Sequence, residues 1–407
     1  MKKFIIFYII LTFFMMIGVT FAHHANEKYC FDCMHKYKIG DKKNDTYEFE
    51  FDLQNNTISK TVEENISDKK TGLVSYILFE NNKILIDQNR KSKYKGPYPS
   101  HSVGKSMVGL VTGYAVCSNY INHTVFDRID YPTVAGTLYE NQRLIDLLHM
   151  TAGDQDYVGQ YKFKKDNRYL GKKFNVSTVP IKSLMKKYFK GKEGQEPGVV
   201  YNYSALTTNV IMNYVIYKTG DDWEKLLHKI FVEDAKVSKR VYFGKTLDKW
   251  GKRKTGNRKS GEYGRYSFYA DRYDYVRIAN LMMNHWQNDT CVGKYLKTMY
   301  ENRIDRNYST SKFNGNHRVA LTYGGQFLWD AVGVEDRPIL MMDGAHGQQV
   351  VIDFDNNKII TAHSVERRYD YYSLIYLQLN SDTTNKSVER PVCRKYINSE
   401  EFVLEPC

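Results

Sequence analysis

What this chain of 407 residues lacks narrows its reading first. No segment recurs at the period of a solenoid or a propeller, so a repeat architecture is excluded. No long low-complexity tract is present, and with 42% hydrophobic residues the chain can bury a full core. Acidic residues are in deficit: 46 Asp and Glu stand against 59 Lys and Arg, a net charge of +13. The lysines nevertheless form no basic run interleaved with aromatics, so no nucleic acid is expected as partner and the excess reads as dispersed surface charge. Cys30-Phe-Asp-Cys33 has no second Cys-x-x-Cys to complete a zinc site, and no His/Asp/Glu cluster has metal-ligand spacing. Neither a metal nor a cofactor is expected. Beyond residue 22 no apolar run is long enough to span a bilayer.

The one such run is N-terminal. Two lysines, Lys2 and Lys3, precede an apolar core that ends in small residues before Thr20-Phe-Ala22. This is the layout of a secretory signal cleaved after Ala22, with an uncleaved membrane anchor as the alternative. The expected location is therefore periplasmic or secreted, or anchored and facing the periplasm. Export makes disulfides possible. Cys30 or Cys33 could pair with Cys393 or Cys407 if the chain ends pack together. Cys117, at the end of an apolar stretch, is expected to be a buried free thiol.

After the signal, residues 23–70 are polar and weakly patterned. Leu73 to Phe79, a polar turn and Ile84 to Asp87 read as a β-hairpin. Residues 125–300 read as mainly helical, with helices at Leu144–His149, Thr208–Tyr217 (stopped by Gly220), Trp223–Val232 and Tyr273–Asn284. The last hundred residues return to strands: Arg318–Tyr323 into Gln326–Trp329, and a hairpin of Gln348–Phe354 with Lys358–His363. Tyr371–Leu379 reads as a terminal helix. Strands at both ends around a helical middle imply an α+β unit over 71–390. Its sheet is built from 71–116 and 300–380, its helical region is 117–299, and a tail follows at 391–407.

The chemistry is sharpest at Ser102-Val-Gly-Lys105. The Ser-x-x-Lys spacing alone says little, because it recurs at Ser67/Lys70, Ser92/Lys95, Ser183/Lys186 and Ser309/Lys312. Only the Ser102 copy opens a small-residue apolar run, Ser106 to Val116, that reads as a buried helix closely packed at Gly109 and Gly113. Pro99 and Ser100 stand at its entrance. Ser102 then falls in the first turn with Lys105 on the same face. A serine hydroxyl needs a neighbouring base to become a nucleophile. A lysine can be that base when burial and a helix N-terminus lower its pKa.

Two further blocks follow: Pro197-Gly-Val-Val-Tyr-Asn-Tyr203-Ser-Ala205, and Gly344-Ala-His346-Gly347-Gln348 opening a strand. Between them stand Leu147-Leu-His-Met-Thr-Ala-Gly153 and Asp274-Tyr-Val-Arg-Ile-Ala279. Over about residues 70–380 this order and spacing resembles the serine β-lactamase-related superfamily: class C β-lactamases, related esterases and D-aminopeptidases, and 6-aminohexanoate-dimer hydrolases.

The resemblance implies a β-lactamase/DD-peptidase-like fold, an antiparallel sheet flanked by helices with a mainly helical insertion. It makes Ser102 the acyl-accepting nucleophile, Lys105 its partner and Tyr203 a proton shuttle, with Tyr201 as the rival tyrosine. It assigns the oxyanion hole to the backbone N–H groups of Ser102 and Gln348. His346-Gly347 takes the place of the family's Lys-Thr-Gly strand motif, whose lysine is absent, and Ala205 stands where that family has asparagine. Both departures lower the expectation of β-lactamase or DD-peptidase activity and favour the aminohexanoate-oligomer hydrolase and esterase branch. There a second tyrosine assists amide cleavage, for which Tyr157 is the nearest match. The expected activity is hydrolysis of a small amide or carboxylic ester. A β-lactamase or DD-peptidase, and a non-catalytic binding protein on the same fold, are the alternatives. His149 is expected to be a satisfied core histidine. Oligomeric state is open.

Overall fold

A computed structural model describes residues 36–39, 45–68, 71–90, 97–158, 181–238, 241–245, 264–306, 319–345, 347–364, 372–380, 392–396 and 402–406. The N-terminal apolar segment, Cys30, Cys33, His346 and Cys407 lie outside them, as does the side chain of Cys393.

The described chain begins with strands β1 (Lys36–Ile39) and β2 (Glu50–Phe51) and helix α1 (Thr57–Ser67). The helix starts at a reciprocal cap: Asn56 Oδ1 accepts from the Ser59 amide, and Ser59 Oγ accepts from the Asn56 amide. A segment that reads as weakly patterned thus contains a capped helix, whose Val62 and Ile66 join a core cluster. The hairpin follows as β3 (Leu73–Glu80) and β4 (Lys83–Asn89). Its turn residues, Asn81 and Asn82, take the left-handed backbone that a tight hairpin needs. After β5 (Tyr98–Pro99) comes helix α2 (Val103–Cys117), buried along nearly its whole length.

The central region supplies α3 (Leu144–Leu148), α4 (Ala205–Thr219), α5 (Trp223–His228), β6 (Val241–Lys245), β7 (Gly264–Ala270), α6 (Arg272–Gln287) and α7 (Cys291–Glu301). Gly220 caps α4 as expected, with its N–H bonded to the Ile216 carbonyl. The region is less purely helical than its sequence suggests, because β6 and β7 combine with β1 and β5 into a sheet of order β1-β6-β7-β5. Its members come from distant parts of the chain, so no local pattern announces the pairing.

The C-terminal third adds β8 (Ile304–Asp305), β9 (Ala320–Gly324), β10 (Phe327–Ala331), β11 (Ile339–Gly344), β12 (Gln348–Asp353), β13 (Lys358–Ser364) and α8 (Tyr372–Leu379), then a hairpin of β14 (Val392–Tyr396) and β15 (Phe402–Pro406). Both ends of the chain meet in one nine-stranded sheet, β2-β4-β3-β13-β12-β11-β10-β9-β8. β3 pairs antiparallel with β13, and only the short β2–β4 contact is parallel. Two core clusters follow from the alternation of the strands. One unites α2, α4, α6 and α7 with residues such as Ile77, Val350 and Ile352. The other gathers α1 and α8 around Tyr76, Leu78, Val351 and Ile360. Among the described residues no helix is long and apolar enough to cross a membrane.

Helix α2 runs through the first cluster, and its glycines work as expected. A Cβ on Gly109 would lie 2.2 Å from the Gly325 carbonyl oxygen, and one on Gly113 would lie 2.5 Å from the Tyr295 ring. The far end of α2 departs from expectation. Cys117 is bonded to Cys291 at the start of α7, 174 residues away, instead of being a free thiol. The folding of α7 beside α2 brings the two Cα atoms to 5.8 Å. His149 is a core residue as expected, but only half satisfied: Nε2 meets the Asn302 carbonyl at 2.8 Å, Nδ1 is buried without a hydrogen-bond partner among the described residues, and burial lowers its pKa to about 4.

Candidate active site

Ser102 is the residue on which α2 starts, following His101 with its left-handed φ of +47°. Its own φ and ψ are helical and its side chain makes no capping bond, so the hydroxyl is left for other partners. Two strands fix the turn. The Ser100 amide donates to the Phe268 carbonyl at 2.8 Å, and the Phe268 amide donates to Ser100 Oγ at 3.1 Å, stitching the turn to β7. The Tyr266 carbonyl oxygen would lie 2.1 Å from a Cβ on Gly104, so glycine lets β7 close on the helix. A Cβ on Gly344, at the end of β11, would lie 2.4 Å from the Ser100 carbonyl oxygen and 3.3 Å from the Ser102 nitrogen.

One turn into the helix, Lys105 Nζ donates to Ser102 Oγ over 3.1 Å. The lysine is buried, at 3% exposure, and burial lowers its pKa. The Tyr266 hydroxyl opposes that shift, and among the described residues the amine forms no ion pair with a carboxylate. The ammonium head sits between two tyrosine rings, 4.5 Å from the centroid of Tyr203 and 4.4 Å from that of Tyr266.

Tyr203 precedes the Ser204 cap of α4, whose hydroxyl accepts from the Leu206 amide. The loop before it is zipped onto 150–158. The Gly198 amide donates to the Thr151 carbonyl, Asn202 N–H to the Met150 carbonyl, and Asn202 Nδ2 to Asp154 Oδ1. Asp154, fully buried, also accepts from the hydroxyls of Tyr139 and Thr207. Enclosure pushes the pKa of the Tyr203 hydroxyl up and keeps it a phenol; the Ser102 side chain and the Arg306 charge pull the other way, and the Asp343 charge adds to the rise. Tyr201 stands farther back, 5.3 Å from the Tyr323 ring, with Arg306 beside it.

Of the other expected residues, Gln348 opens β12 opposite Gly344. Its side chain is committed to the Ser364 carbonyl at 2.6 Å and His363 Nδ1 at 3.0 Å, so its backbone remains the group of interest. Gly347 takes a φ of +74° in the β11–β12 turn. His346 lies outside the described residues. Tyr157 is half-buried and donates to the Glu193 carbonyl at 3.0 Å, with its ring against Phe189. Ser102, Lys105 and Tyr203 therefore converge at one point, whereas Tyr157 has an anchor of its own.

Three contributors escaped the sequence. Tyr266 lies in no motif, and its only trace is the glycine at 104 that admits its backbone. Asp154 follows the Met-Thr-Ala-Gly153 block without a distinguishing pattern. His363, stacked on Tyr98 at 4.7 Å and holding Gln348, reads as one more strand residue.

Sequence comparison finds no matching family model and no similar curated protein. Comparison of structures finds many. A provisionally named 6-aminohexanoate-dimer hydrolase from Bacillus anthracis is 13% identical, with a TM-score of 0.57, covering 86% of this chain and 89% of that one. A class C β-lactamase in complex with cefoxitin is 12% identical, with a TM-score of 0.54, covering 80% and 98%. An octameric penicillin-binding protein homologue from Pyrococcus abyssi is 14% identical, with a TM-score of 0.53, covering 80% and 76%. The chain has the β-lactamase/DD-peptidase-like α+β fold, as its sequence leads one to expect.

Proposed function

We propose that this protein is an exported serine hydrolase that cleaves a small linear amide or carboxylic ester through a Ser102 acyl-enzyme, in the manner of the 6-aminohexanoate-dimer hydrolase and esterase branch. One observation carries the reading: a buried lysine, with no carboxylate among the described residues paired to it, places Nζ 3.1 Å from a serine hydroxyl. Such an amine is more readily neutral than one in water, and a neutral amine is a base.

In the proposed reaction Ser102 Oγ attacks the substrate carbonyl carbon while its proton passes to Lys105 Nζ. The oxyanion is held by the Ser102 N–H and by the β11–β12 turn, with the Gln348 N–H as the assigned donor. The Gly344–Ser102 approach sets this turn beside the nucleophile. The carbon–nitrogen or carbon–oxygen bond then breaks, and the leaving group takes a proton from the Tyr203 hydroxyl, which recovers one from Lys105. Water attacks the ester carbonyl, giving up a proton to the same pair, and Ser102 Oγ leaves protonated as the acid is released. Tyr157 remains the proposed second tyrosine, reaching a substrate only by releasing the Glu193 carbonyl.

The Cys117–Cys291 bond supports export, because disulfides persist in oxidising compartments. The test is intact-mass analysis after exposure to a fluorophosphonate, in which Ser102 Oγ would displace fluoride from phosphorus. A single adduct on the wild type, absent from Ser102→Ala, is expected. An unmodified folded wild type would favour a binding protein, and turnover of a chromogenic cephalosporin would favour a β-lactamase.

A further inference from the structure

We infer that Tyr266 is a positioning residue of this site, its hydroxyl aiming the Lys105 amine at Ser102. The inference rests on the proposed serine-hydrolase reading and adds a residue to it. The amine is enclosed, and among the described residues its polar neighbours are Ser102 Oγ, at 3.1 Å, and the Tyr266 hydroxyl. The ring centroid of Tyr266 is 4.4 Å from Nζ, as near as that of Tyr203 on the other side. Two aromatic faces therefore limit where the flexible lysine head can go. The hydroxyl gives it one direction and the serine the other.

The backbone behind Tyr266 is built for this purpose. The Tyr266 carbonyl approaches Gly104, the residue just before Lys105, more closely than any side chain there would allow. Two residues on, Phe268 exchanges hydrogen bonds with Ser100, two residues before Ser102. β7 thus follows the Ser100–Lys105 turn and delivers one tyrosine to its amine. Tyr269, the other tyrosine nearby on this strand, stacks on Tyr242 at 4.8 Å and serves the small sheet instead.

The role has a signature that a packing role lacks. As an acceptor, the Tyr266 hydroxyl favours the charged amine and works against burial. Its loss lowers the Lys105 pKa further, so more neutral amine exists at acid pH, while that amine is worse aimed. The test is the rate of fluorophosphonate modification across pH for wild type and Tyr266→Phe, read by intact mass. The expected result is a plateau rate lower by roughly ten- to a hundredfold, with a midpoint shifted to lower pH. A lower plateau with an unmoved midpoint would reduce Tyr266 to packing, and an unchanged profile would remove it from the site. Both would overturn the inference while leaving the hydrolase reading intact. An unreactive wild type would instead overturn the reading beneath it. Tyr266→Phe keeps the ring and the strand, and its melting curve checks its fold. Should it not fold, Tyr266→Leu is read by its midpoint alone, because loss of the ring also lowers the plateau.

Discussion

The two ends of helix α2 are built on opposite terms. At the C-terminal end the buried tyrosine is paired and the chain is covalently tied. Tyr114 donates to Asp234 at 2.9 Å and meets His285 at 2.7 Å, and Cys117 is bonded to Cys291. At the N-terminal end the backbone before Ser102 is left-handed, a lysine is buried without a carboxylate, and two strands press on glycines. The first end secures the fold and the second is costly to it. A buried amine with a lowered pKa spends stability to be reactive, and that cost has to be met elsewhere in the same helix.

Breaking the costly end should give the largest effect. Lys105→Met is expected to slow fluorophosphonate modification by about 10²–10⁴-fold. It should also raise the unfolding midpoint, by ~1 kcal/mol or more, since an apolar side chain fills the same space without desolvating a charge. A variant both slow and destabilised would mean that the lysine is structural. Breaking the secure end should do the reverse. Cys117→Ser with Cys291→Ser is expected to lose about 2–5 kcal/mol of stability in a denaturant titration, while the folded variant is modified at nearly the wild-type rate. Gly104→Ala tests whether the contact behind the site is as tight as it looks. Its methyl must displace the Tyr266 carbonyl, costing about 1–3 kcal/mol and slowing modification together.

Acid sharpens the comparison with a smaller effect near neutral pH. Burial lowers His149 to about 4 and His363 to about 3, from 6.5. Their folded values lie below the unfolded one, so the unfolded chain binds more protons between them. Their contribution is therefore complete above pH 6.5 and is lost as pH falls toward 4, at roughly 1.4 kcal/mol per pH unit for each histidine.

What was legible in the sequence was local. The apolar run after Ser102 gave α2, alternating hydrophobic residues gave the hairpins, and Gly220 marked the end of α4. The serine, the lysine and Tyr203 were readable because each sits in a short block with a rigid local shape. What stayed hidden was assembled from afar. The small sheet draws on residues near 36, 98, 241 and 264, and the disulfide joins residues 174 apart. Tyr266 belongs to the same class, one tyrosine among 34, distinguished only by where β7 lies. Helix α1 stayed hidden for a different reason: it is held by an asparagine cap and a narrow apolar stripe, signals that polar composition masks.

The central claim is that Lys105 gives up its proton more readily than a lysine in water and so serves as the base, and it can be measured directly. Lysine labelled with ¹³C at Cε would be titrated by NMR, with the Lys105 signal assigned by its absence from Lys105→Met. The expected result is a midpoint below the ordinary 10.5, with the amine losing its proton over the range in which fluorophosphonate modification rises. A signal that stays in the ammonium form up to pH 10 would contradict the account and leave Ser102 without its base.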